Sequence, residues 1–118
     1  MIIRWWRAVA GSQEVLDQYA EHLRTTTFVE MAQLPGHLGA ALAMKIKGQD
    51  FELVVTSLWS DLDSAGHFER GEFDDAVVKP ITQKLLQSFD LKVEYFECLV
   101  TTGILGDSAA QRAPESAA

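Results

Sequence analysis

The residues of this chain that could do chemistry are three histidines, one cysteine and two arginines on a predicted strand. His67 closes the helix-start stretch Ser60-Asp61-Leu62-Asp63-Ser64-Ala65-Gly66-His67. Imidazole ionises closer to neutrality than any other unperturbed side chain, so a histidine there can take a proton from an acidic phenol or ketone. The other reading is a partly exposed histidine near a helix end. His37, in Pro35-Gly36-His37-Leu38, reads as a surface or interface residue at a strand start. His22 flanks a helical stripe at positions 15, 19, 22 and 26 and reads as a partly buried side chain satisfied locally. The three are too far apart to form a His-x-His or His-x-x-x-His pair, so no metal site is indicated. Cys98 lies in an apolar run without basic neighbours and reads as a small hydrophobe rather than a reactive thiolate. Arg4 and Arg7 share one strand, and a buried arginine needs a partner. Glu52 and Glu94 on neighbouring strands are the expected partners; an anionic ligand is the alternative. No phosphate-binding glycine loop, dinucleotide fingerprint or zinc pattern occurs, so no cofactor is expected.

These groups sit in a chain of 118 residues, the size of one domain, with 47% apolar residues to build a core. The net charge of −7 argues against nucleic acid and anionic membrane surfaces as partners. Apolar runs are too short to span a bilayer, and Met1-Ile2-Ile3-Arg4-Trp5-Trp6-Arg7 carries charges where a signal peptide would be uniformly apolar. With a single cysteine and no export signal, a cytoplasmic location is expected.

The elements that must position these residues can be read in order. Residues 2–10 are β-branched and aromatic and predict a first strand. Ser12 is a helix cap; Leu16, Tyr19, Ala20, Leu23 and Thr27 then form an apolar stripe on a helix that runs to about Ala32, before Pro35-Gly36. Residues 37–46 predict a second strand, joined through Lys47-Gly48-Gln49-Asp50 to a third that ends at Trp59. A capped helix over 61–70, an interruption at Gly71, and a second helical piece bounded by Pro80 and ending near Phe89 follow. Residues 91–100 predict a fourth strand. The domain is thus expected over 1–102, with residues 103–118 (small and polar) as a mobile tail. The order β-α-β-β-α-β is the ferredoxin-like plan, an α+β protomer with one antiparallel sheet and helices on one face. In the third strand Phe51, Leu53, Val55, Ser57 and Trp59 share one face, with Glu52, Val54, Thr56 and Leu58 on the other. Trp5 and Trp6 must likewise point to opposite faces. The face away from the helices is too apolar for water, which predicts a homodimer closed sheet on sheet.

Several landmarks then fall in a familiar order: Trp6-Arg7, Tyr19 and Leu23, Pro35-Gly36-His37-Leu38-Gly39-Ala40, Glu52, Thr56 and Trp59-Ser60, Phe68, Ala76-Val77-Val78, Pro80, Leu85-Leu86, Phe89-Asp90 and Tyr95. Over residues 2–100 the chain resembles the antibiotic biosynthesis monooxygenase-like branch of the dimeric α/β-barrel superfamily. The resemblance implies a dimeric barrel and, in each protomer, a pocket between sheet and helices. Trp6, Tyr19, Val55, Trp59, Phe68 and Phe73 would line it, with His67 as its proton acceptor. It also implies an oxygenase that works without cofactor on a small apolar or aromatic metabolite.

Two positions depart from the pattern. Cofactor-independent oxygenases of this type carry an asparagine where this chain has Val55, which donates no hydrogen bond. Haem-degrading relatives use a histidine where this chain has Val77, and an asparagine from the first strand; the sequence contains no asparagine. Haem degradation is therefore disfavoured. A non-catalytic dimeric module, ligand-binding or stress-related, stands as the alternative to an enzyme.

Overall fold

The structure is a computed structural model that describes residues 1–67 and 80–103. Its elements are β1 (Ile2–Ala10), α1 (Gln13–His22), a wide π-helical turn (Leu23–Thr27), α2 (Phe28–Ala32), β2 (His37–Lys47), β3 (Asp50–Trp59), α3 (Leu62–His67), α4 (Pro80–Leu85), β4 (Ser88–Phe89) and β5 (Glu94–Glu97). The sheet is antiparallel in the order β2-β3-β1-β4, and β5 also pairs with β1. This is the expected α+β, ferredoxin-like arrangement.

Alternation in the sequence becomes alternation of burial. Arg4, Trp6, Ala8 and Ala10 of β1 are buried, as are Leu53, Val55, Ser57 and Trp59 of β3. These sets lie opposite one another in register, so they share the face covered by the helices. Leu16, Tyr19 and Leu23 of the first helix pack against Trp6, Ala8, Leu53 and Val55 in the main core. Each large apolar side chain withdrawn from water there contributes about 1.5–3 kcal/mol. Trp59 belongs to a second cluster with Met31 and Ala65, bordered by Phe28, Leu34 and Tyr95.

The local signals act where the sequence puts them. The Ser12 hydroxyl accepts a hydrogen bond from the Val15 amide at 3.2 Å, capping α1. Gly48 takes a positive φ of 64° in the two-residue turn that places Lys47 opposite Asp50. The first helix is continuous to Ala32, as expected, but contains the π-helical turn that the apolar stripe did not reveal.

The last third departs from expectation in three ways. The helix expected to end near Phe89 ends at Leu85, and Ser88–Phe89 form a strand. The cause is capture by β1: the Gln87 amide donates to the Val9 carbonyl and the Asp90 amide to the Arg7 carbonyl, each at 2.9 Å. The strand expected over 91–100 is shorter, Glu94–Glu97, and the Ser88–Phe89 strand precedes it on the same neighbour. Ala8 faces Phe89 while Trp5 faces Glu94, so Asp90–Val93 bulge opposite Trp6 and Arg7. Leu91, 75% exposed, rides outside this bulge. Arg7 does not take Glu52 or Glu94 as its main partner. Its Nε lies 3.1 Å from Asp90 Oδ2, and Glu52 is 3.4 Å from Lys45 Nζ.

The face away from the helices carries Ile3, Trp5, Val54, Leu58 and Phe96. Trp5 and Phe96 meet edge to face at 6.4 Å. Phe96 is 49% exposed. A groove of about 330 Å³ runs between Trp5, Arg7, Ala43, Lys45, Glu52 and Val54. No helix among the described residues is long and apolar enough to cross a membrane.

Candidate functional site

The helix-facing side of the sheet holds a row of polar groups inside an apolar layer. Arg4 lies in register between Ser57 on β3 and Tyr95 on β5. Both Arg4 and Ser57 are buried. The Trp59 indole N–H donates to Ser57 Oγ at 2.9 Å, which fixes the indole along the strand. Tyr19 reaches the same layer from α1. Burial pushes its phenol far above the usual tyrosine range, while the positive charge of Arg4 pulls in the opposite direction. Aromatic surface, hydroxyl groups and a guanidinium are thus collected in a dry layer, where hydrogen bonds and charges act more strongly than in water.

One end of this layer is closed by a corner built on Gly36. Gly36 has φ 84°, and a β-carbon there would fall 2.2 Å from Ser64 Oγ and 2.7 Å from Ser60 Oγ. Only glycine permits both the backbone angle and the approach of α3. The Ser60 amide donates to the Gly36 carbonyl at 2.8 Å. Asp61 caps α3 by accepting from the Ser64 amide at 2.8 Å. His37 follows, paired with Trp59 across the sheet, its ring edge-on to the indole at 5.0 Å and 72°. His37, expected at the surface or an interface, is half-buried. Its Nδ1 is buried without a hydrogen-bond partner, and burial lowers its proton affinity below the ordinary histidine range. A second buried, unpartnered polar atom, Thr101 Oγ1, lies three residues beyond Cys98, whose amide binds the Met1 carbonyl at the same end of β1.

Of the residues expected to line a pocket, Trp6, Tyr19 and Val55 gather in the main core cluster, and Trp59 sits in the adjoining one. Phe68 and Phe73 lie outside the described residues, as does Val77. His67 is the last residue of α3, the helix whose Ala65 packs on Trp59. Val55 is buried beside Trp6 and Tyr19 and brings no polar atom to the layer. His22 stacks on Tyr19 with ring centres 6.3 Å apart, and its Nε2 is 3.3 Å from Thr27 Oγ1 across the π-helical turn, a locally satisfied position. Cys98 is half-buried and free. Among the described residues no group of three or more His, Cys, Asp or Glu could hold a metal ion. The Arg4–Ser57–Trp59 row and the buried edge of His37 escaped the sequence reading. The signal for the first was present in the common parity of Arg4 with Trp6 and of Ser57 with Trp59.

The architecture has counterparts among solved structures. A protein from Bacillus cereus described as a candidate antibiotic biosynthesis monooxygenase superposes with a TM-score of 0.58 at 14% identity, covering 98% of both chains. One from Deinococcus radiodurans, described in the same terms, superposes at 0.55 and 18% identity, covering 90% of this chain and all of that one. The chain therefore shares the α+β fold of these two proteins. No protein-family model matches the chain, and no curated protein does.

Proposed function

We propose that the chain is an antibiotic biosynthesis monooxygenase-like protein, an oxidoreductase that adds oxygen to a small apolar or aromatic metabolite without metal or organic cofactor. The observation that carries this reading is the joining of Trp59, Ser57, Arg4 and Tyr19 on one buried face of a sheet of this fold. Such a layer suits a flat, largely apolar ligand with an ionisable oxygen. In this reading Trp6, Tyr19, Val55, Trp59, Phe68 and Phe73 border the ligand and His67 accepts its proton. Residues 1–102 form the working domain, 103–118 a tail, and the protein acts in the cytoplasm. The apolar face with Ile3, Trp5, Leu58 and Phe96 supports a homodimer closed through the sheets.

The test is oxygen uptake with a panel of phenols and anthrones. Substrate-dependent uptake that falls in Tyr19→Phe and His67→Ala supports the reading. Full activity in His67→Ala removes that residue from the mechanism. Val55 favours a second reading, a dimeric module that binds an apolar ligand without turning it over, because its isopropyl group stands where an oxygenase of this kind places an amide. Ligand binding by fluorescence titration, with no uptake across the panel, selects that reading.

A further inference from the structure

We propose that His37 is an acid-sensitive latch that holds the Gly36 corner closed over Trp59. The imidazole presents one edge to the interior, where Nδ1 is buried without a partner, and lies against the Trp59 indole at 5.0 Å. Cationic imidazole carries a proton on both nitrogens, so it would place an N–H donor in a dry site that offers it no acceptor. The ring must then leave the indole or its protonation must be resisted. Beside the ring contact, the His37 amide donates to the Leu34 carbonyl at 3.3 Å. The first residue of β2 is followed by an irregularity in pairing between His37 and Gly39, and the corner is tied to β3 by the Ser60 amide on the Gly36 carbonyl.

Among the described residues, the charged groups on the helices packed here leave His37 Nδ1 without a partner. Asp61 is engaged in capping α3. Asp63 of α3 and Glu30 of α2 are exposed. His67, at the end of α3, is separated from His37 by mutation below. Trp59 and Ser60 carry no charge near neutrality. Loss of the His37 contact uncovers Trp59, which is otherwise fully buried, and admits solvent or ligand to the polar row behind it. This regulates the site proposed above, but the latch is read out without substrate, so its failure is distinct from failure of the oxygenase reading.

The test is amide hydrogen exchange by NMR on the full-length chain at about pH 7.5 and about pH 5.5, corrected for intrinsic rates. The Ser60 amide reports the corner and the Val55 amide reports the mid-sheet. The expected result is a several-fold loss of Ser60 protection at the lower pH with Val55 unchanged. The loss should be abolished in His37→Phe and kept in His22→Gln and His67→Gln. If His37→Phe does not fold, His37→Gln serves as the uncharged replacement. Unchanged Ser60 protection in the wild type, or an equal loss in the His37 variant, overturns the latch.

Discussion

The indole N–H of Trp6 donates a 2.6 Å hydrogen bond to the backbone carbonyl of Asp90, tying the middle of β1 to the bulge between β4 and β5. The bond acts beside the backbone bond from the Asp90 amide to the Arg7 carbonyl at the start of the bulge. We predict that Trp6→Phe keeps the buried aromatic surface but leaves the Asp90 carbonyl without this donor, lowering stability by about 1–2 kcal/mol in urea unfolding. Asp90→Asn removes the charge that faces Arg7 on the solvent side. Because that pair is exposed, its loss should leave the unfolding midpoint nearly unchanged. An Asp90→Asn effect as large as that of Trp6→Phe would mean that the ion pair, not the indole, holds the bulge.

Two glycines with positive φ should respond differently to alanine. At Gly48 a β-carbon meets open space, so Gly48→Ala should carry only the backbone penalty of about 1 kcal/mol. At Gly36 the same penalty adds to a collision with Ser64 and Ser60. Gly36→Ala is predicted to cost about 2 kcal/mol or more and to shift the NMR signals of α3. Equal costs would mean that α3 can withdraw from the corner freely.

Stability should also depend on pH through two groups of opposite sign. His37 binds a proton less readily folded than unfolded. As pH falls below about 6.5 the unfolded chain therefore takes up a proton that the folded one resists, and stability present above that pH is progressively lost. Urea midpoints should fall from about pH 7.5 to about pH 5.5 by more in the wild type than in His37→Gln.

Tyr19 behaves in the converse way. Its folded-state proton affinity is raised, so its contribution is complete below the ordinary tyrosine value of about 10 and is lost as pH rises beyond it. In a Tyr95→Phe background, the tyrosinate absorbance of Tyr19 should appear only together with the loss of circular dichroism at alkaline pH. A separate, earlier ionisation would show that water reaches the layer behind Trp59 in the folded state.

The apolar outer face makes a prediction about assembly. Trp5→Glu places a carboxylate between Phe96 and the groove without touching the helix-facing core. A dimer closed through this face should dissociate in sedimentation velocity while the chain keeps its circular dichroism. A wild type that sediments as a monomer at all accessible concentrations removes this assembly.

Much of the fold was legible because burial on one face of a strand has a period of two. Trp5 and Trp6 divide between faces as their adjacency requires, and β3 alternates along its length. The end of α4 was not legible. Leu85-Leu86-Gln87-Ser88-Phe89 suits a helical stripe equally well, and what ends the helix is hydrogen bonding to Val9 and Arg7, some eighty positions earlier. The partner of Arg7 was hidden for the same reason, since the pairing of β4 with β1, continued by one residue, brings Asp90 opposite it. At the candidate site the sequence pointed to Trp6, Tyr19, Val55 and Trp59, which all reach the buried face. It did not point to the inward edge of His37, which follows from the irregular start of β2, and strand propensity does not encode such irregularities.

The π-helical turn at Leu23–Thr27 has a consequence for how this helix can change length. Buried positions 23, 27 and 31 recur every four residues, and in a uniform α-helix each such step drifts about 40° around the axis. The wide turn absorbs that drift like a vernier, so Leu16 and Met31 both remain against the sheet although they are fifteen residues apart. It is therefore a slip joint. Deleting Thr25, which is exposed, lets the turn tighten to ordinary helical pitch, whereas a one-residue deletion within α1 would rotate the inward stripe toward water. Length variation in this helix should be tolerated at that joint and resisted on either side of it.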